Sequence, residues 1–274
     1  MSKIRVAAAC MFSQPGAWER NMESLDALAG RASEEGAQIV CFPELSLSGY
    51  VLDRPESIAS AEKTGQAIVF IEELAMRRGL VVLAGFVEHS GGRPYISHLA
   101  AGPGGVMGVY RKTHLSPAEE AGYRAGERFP LFGDNGVRFG LQLCYESHFP
   151  EISTIMALRG AEVLFIPHAS PRGTPHEKLR SWLRHLPARA FDNGLYVVAC
   201  NQAGSIQGGL SFPPAAVVVD PGGRVTASYA AAGENLLVAS LDLDLLQEVR
   251  SHRMKYFLPR RRPELYGPLA CTEA

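Results

Sequence analysis

Three side chains of complementary chemistry stand at the ends of separate apolar runs. Cys144 lies in RFGLQLCYESHFPE at 138–151, after the strand-like alternation from Val137 to Leu143 and before a tight polar turn and a helix start. That context puts a thiol at the rim of a sheet, where a nucleophile is held stiffly and still reaches solvent. Glu44 follows a second apolar run in IVCFPELSLSGY, and Lys112 a third in VMGVYRKTHL. A thiol is mostly protonated at neutral pH, so it needs a base or a cation beside it. Glu44 can take the proton if burial tunes its own pKa. Lys112 can hold the thiolate, and then the oxyanion formed when a carbonyl is attacked. Such a set is suited to acyl transfer: an amide or nitrile forms a covalent acyl-enzyme and releases ammonia, and water activated by the same glutamate frees the acid.

Neighbouring residues offer further parts. The backbone N–H of Tyr145 is placed to donate to the oxyanion whatever its side chain does. Glu146 reads as a hydrogen-bonding residue of the helix entry rather than a catalytic one. His148 is four residues beyond the cysteine and reads equally as the helix start. His168 ends the run FIPHAS and is a candidate pocket residue, with a satisfied rim histidine as the alternative. His168, His176 and His185 have no acidic partner at regular spacing, so no metal site is expected.

The composition restricts what this chemistry can serve. The 274 residues are 46% apolar and 20% charged with a formal net charge of −1, ordinary values for a globular protein with a sizeable core. Cations are scattered, and the one cluster, Arg260–Arg262, lies in the tail, so neither nucleic acid nor a membrane surface is expected as a partner. The five cysteines, at 10, 41, 144, 200 and 271, are odd in number and irregular in spacing. Cys10, Cys41 and Cys200 sit inside apolar runs, as small hydrophobes do, which predicts a reducing, cytoplasmic setting. SKIRVAAACMF reads as a first strand rather than a signal peptide. No run approaches the about 20 apolar residues of a membrane helix.

Strand and helix signals alternate along the chain. Strands are predicted at Ile4–Phe12, Gln38–Phe42, Leu80–Val87, Tyr95–Ala100, Val106–Tyr110, Val137–Leu143, Val163–Pro167, Leu195–Cys200, Ala216–Asp220, Val225–Ala230 and Leu236–Leu241. Helices are predicted at Trp18–Glu35, Gln66–Arg78, Glu151–Arg159, His176–Phe191 (kinked or split by Pro187) and Asp242–Val249. No linker or repeat interrupts them, so 1–274 reads as one domain. Layer packing predicts a two-sheet sandwich clad by helices, although alternation alone equally permits one doubly wound sheet.

FPEL at 42–45, YRKTHL at 110–115 and LCYESHFPE at 143–151 resemble the three signature segments of the nitrilase superfamily, the carbon–nitrogen hydrolases. ARAFDNGLYVVACNQAG at 188–204 and RRRPELY at 260–266 extend the resemblance over nearly the whole chain. It implies a four-layer αββα sandwich and a Glu–Lys–Cys triad of Glu44, Lys112 and Cys144, with no metal or cofactor. It also implies homodimers or larger homo-oligomers, with the tail, 251–274, packing at the interface. A further glutamate in the loop after the lysine is implied. Glu119, four residues before Tyr123 and seven before Gly126, fits the commoner loop form and is favoured, while Glu120 fits a count forward from Lys112.

Some residues depart from the family pattern. In SFPPAAVVVDPGG, Pro214 and Ala216 stand where a glycine and a serine are usual, and Phe212 is placed to cover the site. The Tyr145–Glu146 pair is nitrilase-like, whereas YRKTHL and FPE at 149–151 are amidase-like. The expected function is an amidase-type hydrolase that cleaves a small carboxamide or carbamoyl compound. The alternatives are a true nitrilase and a catalytically silent binding or scaffold subunit. Tyr50, Tyr123, His168 and Phe212 are the expected substrate-contacting walls, together with Tyr145.

Overall fold

A computed structural model of the chain describes residues 3–134, 136–206 and 209–270. Its first half builds five strands of one six-stranded sheet, β1 (Lys3–Cys10), β2 (Ile39–Cys41), β3 (Val81–Glu88), β4 (Tyr95–Gly102) and β5 (Gly105–Arg111), with α1 (Trp18–Glu34) and α2 (Ala61–Arg78) on its outer face. Its second half builds another from β6 (Leu131–Asp134), β7 (Val137–Leu141), β8 (Val163–His168), β9 (Tyr196–Asn201), β12 (Ala216–Val219) and β13 (Val225–Tyr229). Between β9 and β12, β10 (Gly204–Ser205) and β11 (Ser211–Phe212) form a short hairpin. Helices α3 (Pro150–Leu158), α4 (Pro175–Trp182) and α5 (Leu186–Asn193) belong to the second half. The last strand, β14 (Asn235–Asp242), returns to the first sheet beside β1, and α6 (Leu243–Ser251) follows.

The two sheets share one pattern. In the first the order is β14-β1-β2-β3-β4-β5, and in the second β6-β7-β8-β9-β12-β13. Read in those directions, each runs antiparallel, parallel, parallel, antiparallel, antiparallel. The inner faces meet. Ile4, Val6, Ala8 and Cys10 of β1 point into the core shared with the second sheet, while Ala7 and Ala9 point to α1 and α2. Both faces are covered, which is why these strands read as nearly continuous apolar runs. The result is the four-layer αββα sandwich.

The predicted strands and helices appear at these places, with informative shifts. Helix α2 starts at Ala61, five residues before Gln66, because Ser60 caps it by accepting from Lys63 N at 3.0 Å. The predicted helix 176–191 is two helices, α4 and α5, which part at Leu183–His185 just ahead of Pro187. The strand before the cysteine ends at Leu141, two residues early, and the Gln142 side chain donates to Phe149 O at 3.2 Å at the helix entry. Strand β6 has no counterpart in the prediction; at four residues it is too short for periodicity to reveal. Cys10, Cys41, Cys144 and Cys200 are free thiols, and Cys271 lies outside the described residues. Among the described residues, no helix is long and apolar enough to cross a membrane, and no His/Cys/Asp/Glu group could hold a metal ion.

Candidate active site

Glu44, Lys112 and Cys144 each follow a strand end, on β2, β5 and β7, and the sandwich brings these ends together. Glu44 is held by its own loop. Leu47 N donates to Gly85 O at 2.9 Å, and the Ser46 and Ser48 hydroxyls accept from Gly85 N and Val87 N, each at 3.1 Å. Gln202 Nε2 donates to Glu44 O at 2.9 Å from the other sheet. Gly85 permits this seat, since a Cβ there would stand 2.5 Å from Leu45 N. Leu45 itself has φ +56°, a strained conformation for a residue with a Cβ.

Strand alternation separates two adjacent cations. Arg111 turns outward to Glu88, at 2.6 and 2.7 Å, while Lys112 turns into the molecule. Lys112 Nζ donates to Glu44 Oε1 at 2.8 Å and to Glu119 at 2.9 Å, and all three side chains are at most 2% exposed. Glu119 also accepts from Ser116 N at 2.8 Å and from Tyr50 Oη at 3.3 Å. Glu120 points outward and is exposed, its carbonyl taken by Arg93, so the carboxylate beside the lysine is Glu119.

Cys144 is half-buried at the first position of a five-residue 3₁₀ turn, with φ +44°. The turn is pinned from two sides. Ser153 Oγ donates to Gln142 Oε1 at 2.8 Å, and Gln142 Nε2 reaches Glu146 O. Glu146 is fully buried and goes further than the helix entry. Its carboxylate accepts from Leu143 N at 2.7 Å, Tyr110 Oη at 2.8 Å, and Thr113 N and Oγ1 at 2.7 and 2.6 Å. It therefore ties the cysteine turn to the lysine loop.

The electrostatics follow from burial. Desolvation raises Glu44 to about 7; Lys112 opposes the shift and Glu119 adds to it. Lys112 stays firmly protonated, since two carboxylates outweigh the cost of burying it. Desolvation pushes the Cys144 thiol well up, and the Glu44 charge adds to this more than Lys112 relieves it. Lys112 spends two hydrogen bonds on carboxylates, and burial holds the sulfur's pKa well above the ordinary thiol range. The Ala169 N–H donates to Glu44 Oε2 at 3.1 Å.

These groups open on a cavity of about 220 Å³ lined by Tyr50, Ser116, Glu119, Cys144, Tyr145, Ser147, His148, His168, Ala169, Ser170, Pro171, Lys178, Ser181, Trp182 and His185. Tyr50, Tyr145 and His168 are in that wall; Tyr123 and Phe212 are not. Tyr123 is fully buried and donates to Val51 O at 2.6 Å, tying down a loop. Phe212 packs edge-on behind Tyr50, 5.8 Å between ring centroids. His168 lies against Trp182 at 4.4 Å, and its Nε2 has no hydrogen-bond partner among the described residues. Trp182, Lys178 and Ser147 went unnoticed in the sequence, and His185 was weighed there only as a metal ligand. The break between α4 and α5, signalled by Pro187, is the one local cue.

Known proteins similar to this chain indicate its family. The family model for carbon-nitrogen hydrolases matches residues 5–251. A nitrilase of Pyrococcus abyssi is 30% identical over 267 residues, 96% of this chain and 99% of its own length. An (R)-stereoselective amidase of a Pseudomonas species is 34% identical over 246 residues, 89% of this chain and 86% of its own. A variant of the amidase from Nesterenkonia sp. AN1, solved with the result of Michael addition of acrylamide at its active-site cysteine, is 30% identical with a TM-score of 0.84. That likeness covers 97% of this chain and 99% of the other. Fold, strand-end residues and relatives converge: the chain belongs to the carbon-nitrogen hydrolase family, as an amidase-like member of the nitrilase superfamily that hydrolyses carbon–nitrogen bonds other than peptide bonds.

Proposed function

We propose that this hydrolase cleaves a small carboxamide to its acid and ammonia through a thioester on Cys144. The observation that carries this reading is Lys112 sealed between Glu44 and Glu119, with Glu119 and Cys144 lining one cavity. A base whose pKa is lifted toward neutrality is matched to a thiol that must lose its proton only as it attacks. Sγ forms the bond to the amide carbon while its proton passes to Glu44. The oxyanion is taken by the third N–H of Lys112, two being spent on carboxylates, and by the Tyr145 backbone N–H. Collapse breaks the C–N bond as Glu44 returns the proton to the departing ammonia, with Glu119 orienting the nitrogen. Water then enters, gives a proton to Glu44 and attacks the thioester; the acid leaves and the proton goes back to sulfur.

Nitrile hydrolysis uses the same residues and is the second reading. The Tyr145–Glu146 pair that favoured it in the sequence loses weight, because Glu146 is committed to Tyr110, Thr113 and Leu143 and lies outside the cavity lining. Ammonia release across a panel of small amides, nitriles and carbamoyl amines tests the choice, with Cys144→Ala as blank. Consumption of amides by wild type alone, with an acyl adduct in its intact mass, is expected. An adduct that persists in Cys144→Ala overturns the mechanism, and a nitrile consumed while its amide is left untouched favours the nitrilase.

We read the chain as one catalytic domain that works as a homo-oligomer in a reducing, cytoplasmic setting. Met254, Phe257, Leu265 and Leu269 leave apolar side chains exposed along the described part of the tail, 251–270, which supports an interface there. Light scattering on wild type and a chain truncated after Ser251 tests it: the larger species must be lost in the truncation.

A further inference from the structure

The cavity wall contains a cation that the hydrolysis above does not use. Lys178, on α4, is half-buried and lines the same space as Cys144. Its Nζ donates to Ser170 Oγ at 2.6 Å and Pro171 O at 3.1 Å, both neutral acceptors. Among the described residues no carboxylate pairs with it, and the one acid in the lining, Glu119, is occupied by Lys112. An ammonium has three donors, so one is left. A lysine partly withdrawn from water without a counter-ion is uncommon, because desolvation of the charge is uncompensated. Burial indeed draws this ammonium below the ordinary lysine range, and the cavity it lines is the one that Cys144 lines.

The surroundings favour an anion as the missing partner. His148, His168 and His185 line the same wall, and each is held below the ordinary imidazole range, by burial first and then by cationic neighbours. Near neutral pH they are uncharged and add ring N–H donors without adding a competing anion. Ser170 and Ser181 add hydroxyls. The wall opposite the reacting carbon therefore presents one uncompensated cation among neutral donors, in a volume of about 220 Å³ that fits only a short molecule.

We propose that the substrate is a short amide carrying a carboxylate a few bonds from its scissile carbonyl, with the carboxylate seated on Lys178. This deepens the amidase reading and rests on it. Charge pairing at Lys178 fixes the chain's far end, and the amide then lies at Cys144.

The test compares monoamides of four- to six-carbon dicarboxylic acids with unsubstituted alkanamides of the same length, using wild type, Lys178→Gln and Lys178→Glu. Wild type is expected to prefer the monoamide in kcat/KM. A hydrogen bond to a charged group sets the scale, so the ratio of the two kcat/KM values falls about tenfold to a hundredfold in Lys178→Gln, chiefly through KM. In Lys178→Glu an ω-aminoalkanamide gains over the monoamide, a gain that misfolding does not produce. An unchanged ratio in both variants overturns the proposal, as does a wild type that hydrolyses alkanamides in preference; the amidase reading survives either result. Hydrolysis of neither class by wild type overturns both.

Discussion

The two sheets have the same order of parallel and antiparallel neighbours, yet they contribute differently to the site. The first supplies Glu44, Lys112 and Glu119, which are almost wholly sealed and satisfy one another's hydrogen bonds. The second supplies Cys144 and most of the cavity wall, including Tyr145, His148, Lys178 and His185, which are half-buried or exposed and mostly borne by turns and short helices. A buried ion cluster survives only when its geometry is closely held, since each charge has given up its hydration. A wall facing a solvent-filled cavity carries no such constraint. The contrast assigns proton and charge handling to the first half and substrate choice to the second.

The sharpest way to break this division is to remove the side chains that react. Cys144→Ala should lower kcat by about 10⁴-fold or more, and Lys112→Met or Glu44→Gln by about 10³-fold or more, in single-turnover acylation assays. If Lys112→Met leaves acylation intact, the sealed cluster is only a structural ion group.

A pH profile sharpens the same point. Glu44 must be ionised to take the thiol proton, and its folded pKa is raised to about 7. kcat/KM should therefore fall about tenfold per pH unit below that value. The charge on Glu119 adds to the upward shift of Glu44, so in Glu119→Gln the acid limb of the residual activity should move to lower pH. A limb that stays in place removes Glu44 as the titrating base.

The tie between the halves should be measurable as stability. Glu146→Leu strands the donors of Leu143, Thr113 and Tyr110, and should cost about 3 kcal/mol in denaturant unfolding. Gly85→Ala forces the Glu44 loop away and should cost about 1–3 kcal/mol with a matching fall in kcat. Smallest is His148→Ala in the exposed part of the wall, which should move KM by less than about tenfold and kcat hardly at all. A larger effect on kcat there would erase the distinction between the halves.

Much of this was legible in the sequence. The period-2 and 3.6-residue patterns located most of the strands and helices, because backbone geometry alone fixes which side chains share a face. They missed four-residue β6, which is shorter than the windows that reveal a period, while Pro187 signalled the break between α4 and α5. Glu44, Lys112 and Cys144 stood out because strand ends are recognisable from local text. Glu119 and Glu120 were adjacent letters, and loop spacing favoured Glu119 without excluding its neighbour.

Local pattern thus determined the elements, the sandwich as one permitted packing, and the three strand-end residues able to do acyl chemistry. The stacking of the sheets decided the rest. It set Glu119 rather than Glu120 beside Lys112, left Tyr123 and Phe212 outside the cavity lining, raised the pKa of the buried thiol, and set Lys178 in the cavity wall. Those outcomes depend on desolvation and charge between residues dozens of positions apart, and neither exists until distant segments exclude water together.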